Sequence, residues 1–190
     1  MKRSLLWGIA LLLAVLGGWQ VASAAWIHTK AAAAQTLIAW SWGEAHDGGI
    51  SRRPWPGADT RPIARLIVPS QGIELYVLAD ASGRSLAFGP AHVSGTARPG
   101  SWGNVVIVGH RDTHFAFLRD ISPDAEILLE SSKAAPARYR VREITVVDKS
   151  ETRMMDPADA AELTLITCYP FDAIAPGTPL RYVVIAERVA

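Results

Sequence analysis

The sequence predicts a mainly β domain, a closed or sandwiched sheet with a few short helices, that follows an N-terminal transmembrane helix. Two observations support this prediction. From Ile63 onward, short β-branched apolar runs alternate with Gly, Pro and Asp, which is typical of an all-β domain. Before that point, residues 5–27 form one long apolar run.

Residues 1–28 are predicted to be a single-pass membrane anchor. A bilayer is crossed by about 20 apolar helical residues, and residues 5–27 supply them. Lys2 and Arg3 precede the run, which predicts a cytoplasmic N-terminus in the plasma (inner) membrane and a domain that faces the periplasm or the exterior. A cleaved signal peptide is the alternative, because residues 22–24 (ASA) resemble a cleavage site, although the run exceeds the roughly 7–15 residues of a signal core.

Residues 29–61 are predicted to be a helical stalk and linker. The Ala-rich part, residues 29–42, favours a helix that extends the anchor, lies along the membrane surface or packs on the domain. The Gly- and Pro-rich part that follows is typical of a linker, so the β domain is expected to span residues 62–190. Its predicted strands are residues 63–68, 73–78, 105–108, 126–130, 137–147, 163–167 and 180–186, and its predicted helical turns are residues 82–88, part of 113–118, and 157–161 after an Asp156 cap.

The composition excludes some functions and leaves one cysteine to explain. The net charge is +1, and no Lys/Arg-rich run is interleaved with aromatic residues, so no nucleic-acid partner is expected. Cys168 is the single cysteine, which excludes an intramolecular disulfide. A lone cysteine in an exported chain is either a small buried apolar residue or a reactive thiol.

Three polar residues occur at the ends of predicted strands. His110 follows residues 105–108 and Gly109, Cys168 follows residues 163–167, and Arg181 opens the last strand. Such residues have a rigid support and open to the surface. A histidine can take the proton of a thiol and return it to a leaving amine. An arginine, together with the backbone N–H after Cys168, can stabilise an oxyanion.

Each of these residues also has a structural interpretation. His110 could bond a backbone carbonyl, and Arg181 could pair with Asp172. The spacing of three separated residues does not show that their side chains meet.

Three separated motifs resemble the sortase family. Residues 164–168 (TLITC) resemble its TLxTC signature, Gly109-His110 resembles its histidine segment, and Arg181 follows the cysteine by thirteen positions. The similarity covers about residues 63–189. The longer stretches 109–115 and 167–171 resemble sortases of Gram-negative, marine-type proteobacteria.

The resemblance implies a closed sortase-type β-barrel, usually of eight strands, and the activity of a cysteine transpeptidase. Its substrate would be an exported protein with a C-terminal sorting signal, cleaved through a thioester that an amine acceptor then resolves. Cys168 would be the nucleophile, His110 the general acid/base, and Arg181 the residue that positions the substrate and the oxyanion. No cofactor and no metal are implied.

Other residues near these motifs are candidates for substrate binding or for support of the catalytic residues. His110 is preferred over His114 as the base, because His110 ends a strand whereas His114 falls in a predicted helical turn. His114, His92, Thr167 and Tyr169 are then expected to line the groove or to lie behind it.

Two alternatives to a transpeptidase remain from the sequence. A metal-dependent hydrolase could use the H-x-D-x-H run of His110, Asp112 and His114, although a catalytic zinc site needs a third well-placed ligand. A non-catalytic periplasmic barrel could instead hold a peptide by strand addition.

Overall fold

The computed structural model describes Trp7 and residues 17–19, 33–44, 52–132 and 134–189. Within this part of the chain, no helix is long and apolar enough to cross a bilayer. The predicted anchor, residues 1–28, lies outside the described residues apart from Trp7 and residues 17–19. The chain divides into two compact units, Met1–Thr36 and Leu37–Ala190. The predicted division at residues 28 and 61 stays a prediction.

The second unit contains a closed barrel of eight strands, which confirms the predicted fold class. Around the barrel the order is β1-β2-β3-β4-β7-β8-β6-β5, and all neighbours are antiparallel except β2/β3 and β4/β7. The strands are β1 (Pro62–Val68), β2 (Ile73–Leu78), β3 (Ala91–His92), β4 (Asn104–Val108), β5 (Glu126–Ser131), β6 (Ala134–Asp148), β7 (Glu162–Tyr169) and β8 (Leu180–Val189).

The helical elements are short apart from α1, which covers residues 33–44. The others are α2 (Gly83–Leu86) and the 3-10 turns η1 (Pro69–Gln71), η2 (Ala116–Asp120) and η3 (Arg153–Met155). In the second unit, Ile38 of α1 is fully buried in a cluster with Leu78 and Ala91. The alternatives for the Ala-rich stretch as a whole, residues 29–42, stay predictions.

Side-chain alternation separates the interior of the barrel from its outer face. On β7, Leu163 and Leu165 belong to the main core, together with Ile107 of β4 and Val184 of β8. Because successive side chains of a strand point to opposite faces, the residues between these core positions face outward. This alternation decides which polar residues share a surface with Cys168.

One strand was not predicted from the sequence, and one predicted helix was wrong. The strand β3 has only two residues, Ala91 and His92, which is too short for an alternating pattern to reveal it. The predicted helix at residues 157–161 does not form, and the helical turn lies earlier, in η3. Asp156 is extended (φ −64°, ψ 154°), and its carbonyl accepts a hydrogen bond from Asn104 Nδ2 at 3.2 Å, which holds this loop against β4.

Candidate active site

The β7/β8 ladder places Cys168 directly opposite Arg181. Directly opposed residues of antiparallel strands carry their side chains on the same face, with Cβ atoms about 4.5–5.5 Å apart. The Cys168 thiol is free and half-buried. The ladder therefore pairs a thiol that is open to solvent with a guanidinium.

The parallel β4/β7 ladder brings His110 to the same level. Its register pairs Val108 with Ile166, and one further ladder bond runs from Gly109 N to the Ile166 carbonyl at 3.2 Å. His110 follows Val108 by two residues and Cys168 follows Ile166 by two, so both residues come at the same end of neighbouring strands that lie about 4.8 Å apart. His110 is exposed.

Cys168 lies on the outer face of the barrel. It alternates with Leu165 and Leu163, whose side chains fill the interior, and it shares its face with Ile166 and Thr164. Val108 and Ile166 are both half-buried there. They form an apolar floor beside the thiol, and this floor is open to solvent.

A hydrogen-bonded pair fixes the far end of this floor. The buried Thr164 Oγ1 donates to Asn104 Oδ1 at 2.8 Å. Asn104 Nδ2 donates to the carbonyls of Met154 and Asp156, at 3.0 and 3.2 Å, in the loop between β6 and β7. These bonds hold the loop against the edge of the β4/β7 surface. This contact of Asn104 could not be predicted from the sequence, because its partner lies in a loop fifty residues away.

The Arg181 guanidinium donates hydrogen bonds to two backbone carbonyls. Its Nη1 donates to Thr178 O at 2.7 Å and to Leu180 O at 2.9 Å. Among the described residues, Arg181 forms no ion pair with Asp172, although it helps to lower the pKa of Asp148. Both bonds start from Nη1, and the N–H groups of Nε and Nη2 take no part in them.

Gly109 is required by space rather than by backbone conformation. A Cβ at this position would lie 2.8–3.0 Å from three ring atoms of Phe115, which is fully buried. The Phe115 N–H bonds the His110 carbonyl at 2.9 Å, so the turn that carries His110 folds the ring beneath Gly109. The glycine therefore lets the histidine segment close tightly over the core.

We expect Gly109→Ala to destabilise the protein by about 1–3 kcal/mol, because the added methyl group overpacks a buried ring. Thermal or urea denaturation measures the loss. Gly83→Ala is the matched control, since a Cβ there meets no atom within 4 Å, and a helical Gly→Ala change is neutral or stabilising. Equal stability of the two variants would contradict the close packing of Phe115 on Gly109.

His114 lies near His110 but in a different environment. It is half-buried, and its Nδ1 lies 3.4 Å from Thr113 Oγ1. Burial lowers the pKa of His114 below the ordinary 6.5; the neighbouring His110 lowers it further, and Asp112 opposes the shift.

The lowered pKa of His114 predicts a stability that falls in acid. The unfolded chain binds a proton near pH 6.5 that the folded chain takes up only at lower pH. The contribution to stability is therefore present above about pH 6.5 and is lost as pH falls through the folded pKa. Urea denaturation between pH 7.5 and 5 should show a shallower decline for His114→Gln than for the wild type. Parallel curves would contradict the prediction.

Two other sequence-predicted residues lie on the opposite face of β7 from Cys168. Thr167 is buried and donates to Gly109 O at 2.7 Å, which ties β7 to the histidine segment. Tyr169 stacks on Tyr182 at 6.0 Å, and Tyr182 packs against the core. Neither side chain joins the thiol on the outer surface, so their roles in this structure are supporting ones.

His92 is also separated from the thiol. The register pairs it with Ile107, an interior residue. Its Nε2 lies 2.9 Å from Ala97 O and 3.1 Å from Thr96 Oγ1, and the ring is buried. Because its Nε2 contacts the turn after β3, His92 stabilises that turn and does not line the groove.

The residues of the predicted metal site do not form one. Within the part of the chain that the structure describes, no three His, Cys, Asp or Glu side chains are grouped to hold a metal ion. Asp112 is exposed, and η2 carries the chain away after His114. The ligand set required by the metal-hydrolase alternative is therefore not assembled by His110, Asp112 and His114.

The closed barrel and its surface define a class of protein. The thiol and the guanidinium are paired on the outer face of β7 and β8, and an exposed imidazole follows the neighbouring strand β4, beside an apolar floor. This arrangement suits acyl transfer through a thioester. The sortase-domain family model matches residues 66–189, and the chain belongs to the sortase family.

Individual relatives agree with this assignment. Sortase D of Bacillus subtilis (strain 168) is 29% identical over 125 residues, which are 65% of this chain and 62% of that protein. The chain therefore matches less than two thirds of the length of this relative.

Solved sortase structures share the fold. Sortase A from Corynebacterium diphtheriae (27% identity, TM-score 0.62) matches over 70% of this chain and 63% of its own. Sortase C-1 from Actinomyces oris (28%, TM-score 0.59) matches over 68% and 75%. The Clostridium perfringens Sortase D5 transpeptidase (TM-score 0.65, 82% and 99%) is 20% identical and shows likeness of fold alone.

Proposed function

We propose that this chain is a cysteine transpeptidase that cleaves a sorting-signal peptide of an exported protein and transfers the acyl part to an amine. The observation that carries the proposal is the register of three strands: β8 sets Arg181 opposite Cys168, and β4, which pairs with β7, is followed directly by Gly109 and His110. The apolar floor of Val108 and Ile166 offers an extended peptide a surface that leads to the thiol.

The first half of the reaction forms a thioester. The Cys168 thiolate attacks the scissile carbonyl carbon, a C–S bond forms, and the negative charge moves to the carbonyl oxygen. The N–H groups of Arg181 at Nε and Nη2 stabilise that oxyanion. When the intermediate collapses, the C–N bond breaks and protonated His110 gives its proton to the leaving amine.

The second half reverses the roles. An incoming amine attacks the thioester carbonyl, His110 accepts a proton from it, and the C–S bond breaks to release the Cys168 thiolate. The product carries a new amide bond, so atoms and charge balance without a cofactor.

Two finer predictions remain from the sequence alone. Residues 1–28 would hold the domain at a membrane, and the stretches 109–115 and 167–171 would place the chain among Gram-negative sortases. Access to an exported substrate protein depends on the first of these.

A thiol-directed reagent tests the proposal, because the chain has one cysteine. We expect a methanethiosulfonate to abolish peptide cleavage and a reductant to restore it, while EDTA has no effect. Peptides from exported proteins, with hydroxylamine or glycine peptides as the amine, serve as substrates. Activity that survives modification of Cys168, or that EDTA removes, would refute the proposed function.

The peptide-binding alternative finds less support in the fold. Strand addition needs a free sheet edge, whereas every strand of the described barrel has two neighbours. A closed barrel leaves a peptide only its outer faces and loops.

A further inference from the structure

Arg111 follows His110 directly and reaches across to the loop between β7 and β8, residues 170–179. Its Nη1 donates to Thr178 Oγ1 at 3.0 Å. Its Nη2 donates to the carbonyls of Ala173 and Ala175, at 2.6 and 2.9 Å. One side chain on the histidine segment therefore holds three points of the loop that joins Cys168 to Arg181.

This loop has little regular backbone pairing of its own. In the described chain, the backbone bonds that reach it include a long one from Ala173 N to Pro170 O (3.4 Å) and one from Lys149 N to Pro179 O (2.6 Å). A loop carbonyl without a backbone partner needs a side chain or water. Arg111 serves two such carbonyls, so the path of the loop depends on its guanidinium.

Thr178 links Arg111 to Arg181. Its hydroxyl accepts from Arg111, and its carbonyl accepts from Arg181 Nη1 at 2.7 Å. Arg111 thus holds Thr178 by its hydroxyl, and the Thr178 carbonyl in turn orients the Arg181 guanidinium. The planar fork of an arginine makes such multiple bonds with little loss of freedom, which the point charge of a lysine cannot do.

We propose that Arg111 is a positioning residue, which acts through Thr178 to aim the Arg181 guanidinium at the reaction centre. The inference rests on the proposed function, in which Arg181 stabilises the oxyanion. It assigns no contact between Arg111 and substrate. Without Arg111, the loop relaxes, Thr178 moves, and Arg181 loses the acceptor that orients its Nε and Nη2.

Hydrogen exchange tests whether Arg111 holds the loop, residues 170–179, and this measurement does not depend on enzyme activity. We expect Arg111→Gln in the full chain to raise amide exchange over residues 170–179, while the strand amides of β1 and β5 stay unchanged. Arg84→Gln is the matched control, because Arg84 forms an exposed ion pair with Asp59. Unchanged exchange in the loop would overturn the proposal.

Kinetics tests the effect on Arg181. Misplacement of a catalytic group by about 1 Å costs up to about 100-fold, so Arg111→Gln should lower kcat/KM about 10- to 100-fold and Arg111→Lys should restore little of it. In an Arg181→Ala background, the same change should cost less than about 3-fold, because coupled residues are not additive. Full additivity, or wild-type kinetics of Arg111→Gln, would overturn the proposal.

A second pair of variants covers the case in which Arg111→Gln does not fold. Thr178→Val removes the hydroxyl acceptor but keeps the carbonyl, whereas Thr178→Ser keeps both. We expect kcat/KM to fall for the valine variant and to stay within about 2-fold of wild type for the serine variant. Equal values for the two would overturn the proposal.

The Cys168→Ala variant separates failure of the positioning role from failure of the proposed function. If Cys168→Ala remains active, the proposed function fails. If Cys168→Ala is inactive while Arg111→Gln and Thr178→Val behave as wild type, the positioning role alone fails.

Discussion

Cys168→Ala should reduce transpeptidation by at least about 10⁴-fold, to the level of the uncatalysed reaction, because no covalent intermediate can form without the thiol. The fold should be unaffected, since the side chain is small, half-buried and on the outer face of β7. The rate of acyl transfer to hydroxylamine, measured by chromatography, checks the loss of activity. Circular dichroism checks that the fold is retained.

Cys168→Ser is the companion to the alanine variant. Serine has a nearly identical shape but a hydroxyl that is far harder to ionise than a thiol, so we expect it to be almost as inactive. Retention of a tenth or more of the wild-type rate by either variant would mean that another residue carries the chemistry.

His110→Ala should lose about 10²–10⁴-fold in kcat/KM, because it removes both the proton acceptor for the thiol and the proton donor for the leaving amine. His114→Ala is the matched control, since this imidazole follows His110 by four residues in the chain and lies inside the turn that precedes η2. We expect the control to retain more than about a tenth of the rate. Steady-state kinetics on both variants decides between the two histidines.

The sizes of the two losses in kcat/KM decide the assignment. A larger loss for the His114 variant would reverse the assignment and identify the second imidazole as the acid/base group.

Most of the strands could be predicted from the sequence because their alternation is local. Residues 73–78 were predicted with the observed bounds, and residues 63–68 within one residue of β1. The two-residue β3 could not be, since its pairing with β4 and the parallel contact with Leu78 are long-range. The helix predicted at residues 157–161 does not form, and the helical turn η3 ends just before it, at Met155.

The site was predictable as a list of residues and not as an arrangement. Strand ends and the resemblance indicated Cys168, His110 and Arg181, but only the register shows which of them share a face. The same register moves Tyr169 and His92 to the other side of the sheet. Arg111 carried no sequence signal, because its partners lie more than sixty residues away in a loop.

Trapping of the acyl-enzyme tests the central claim most directly. The wild-type protein is incubated with a peptide from an exported protein, quenched in acid without an amine, and digested for mass spectrometry. We predict that the peptide containing Cys168 gains the mass of the N-terminal cleavage fragment, and that hydroxylamine at neutral pH removes it. Turnover with an unmodified Cys168, or a fragment attached to any other residue, would contradict the account.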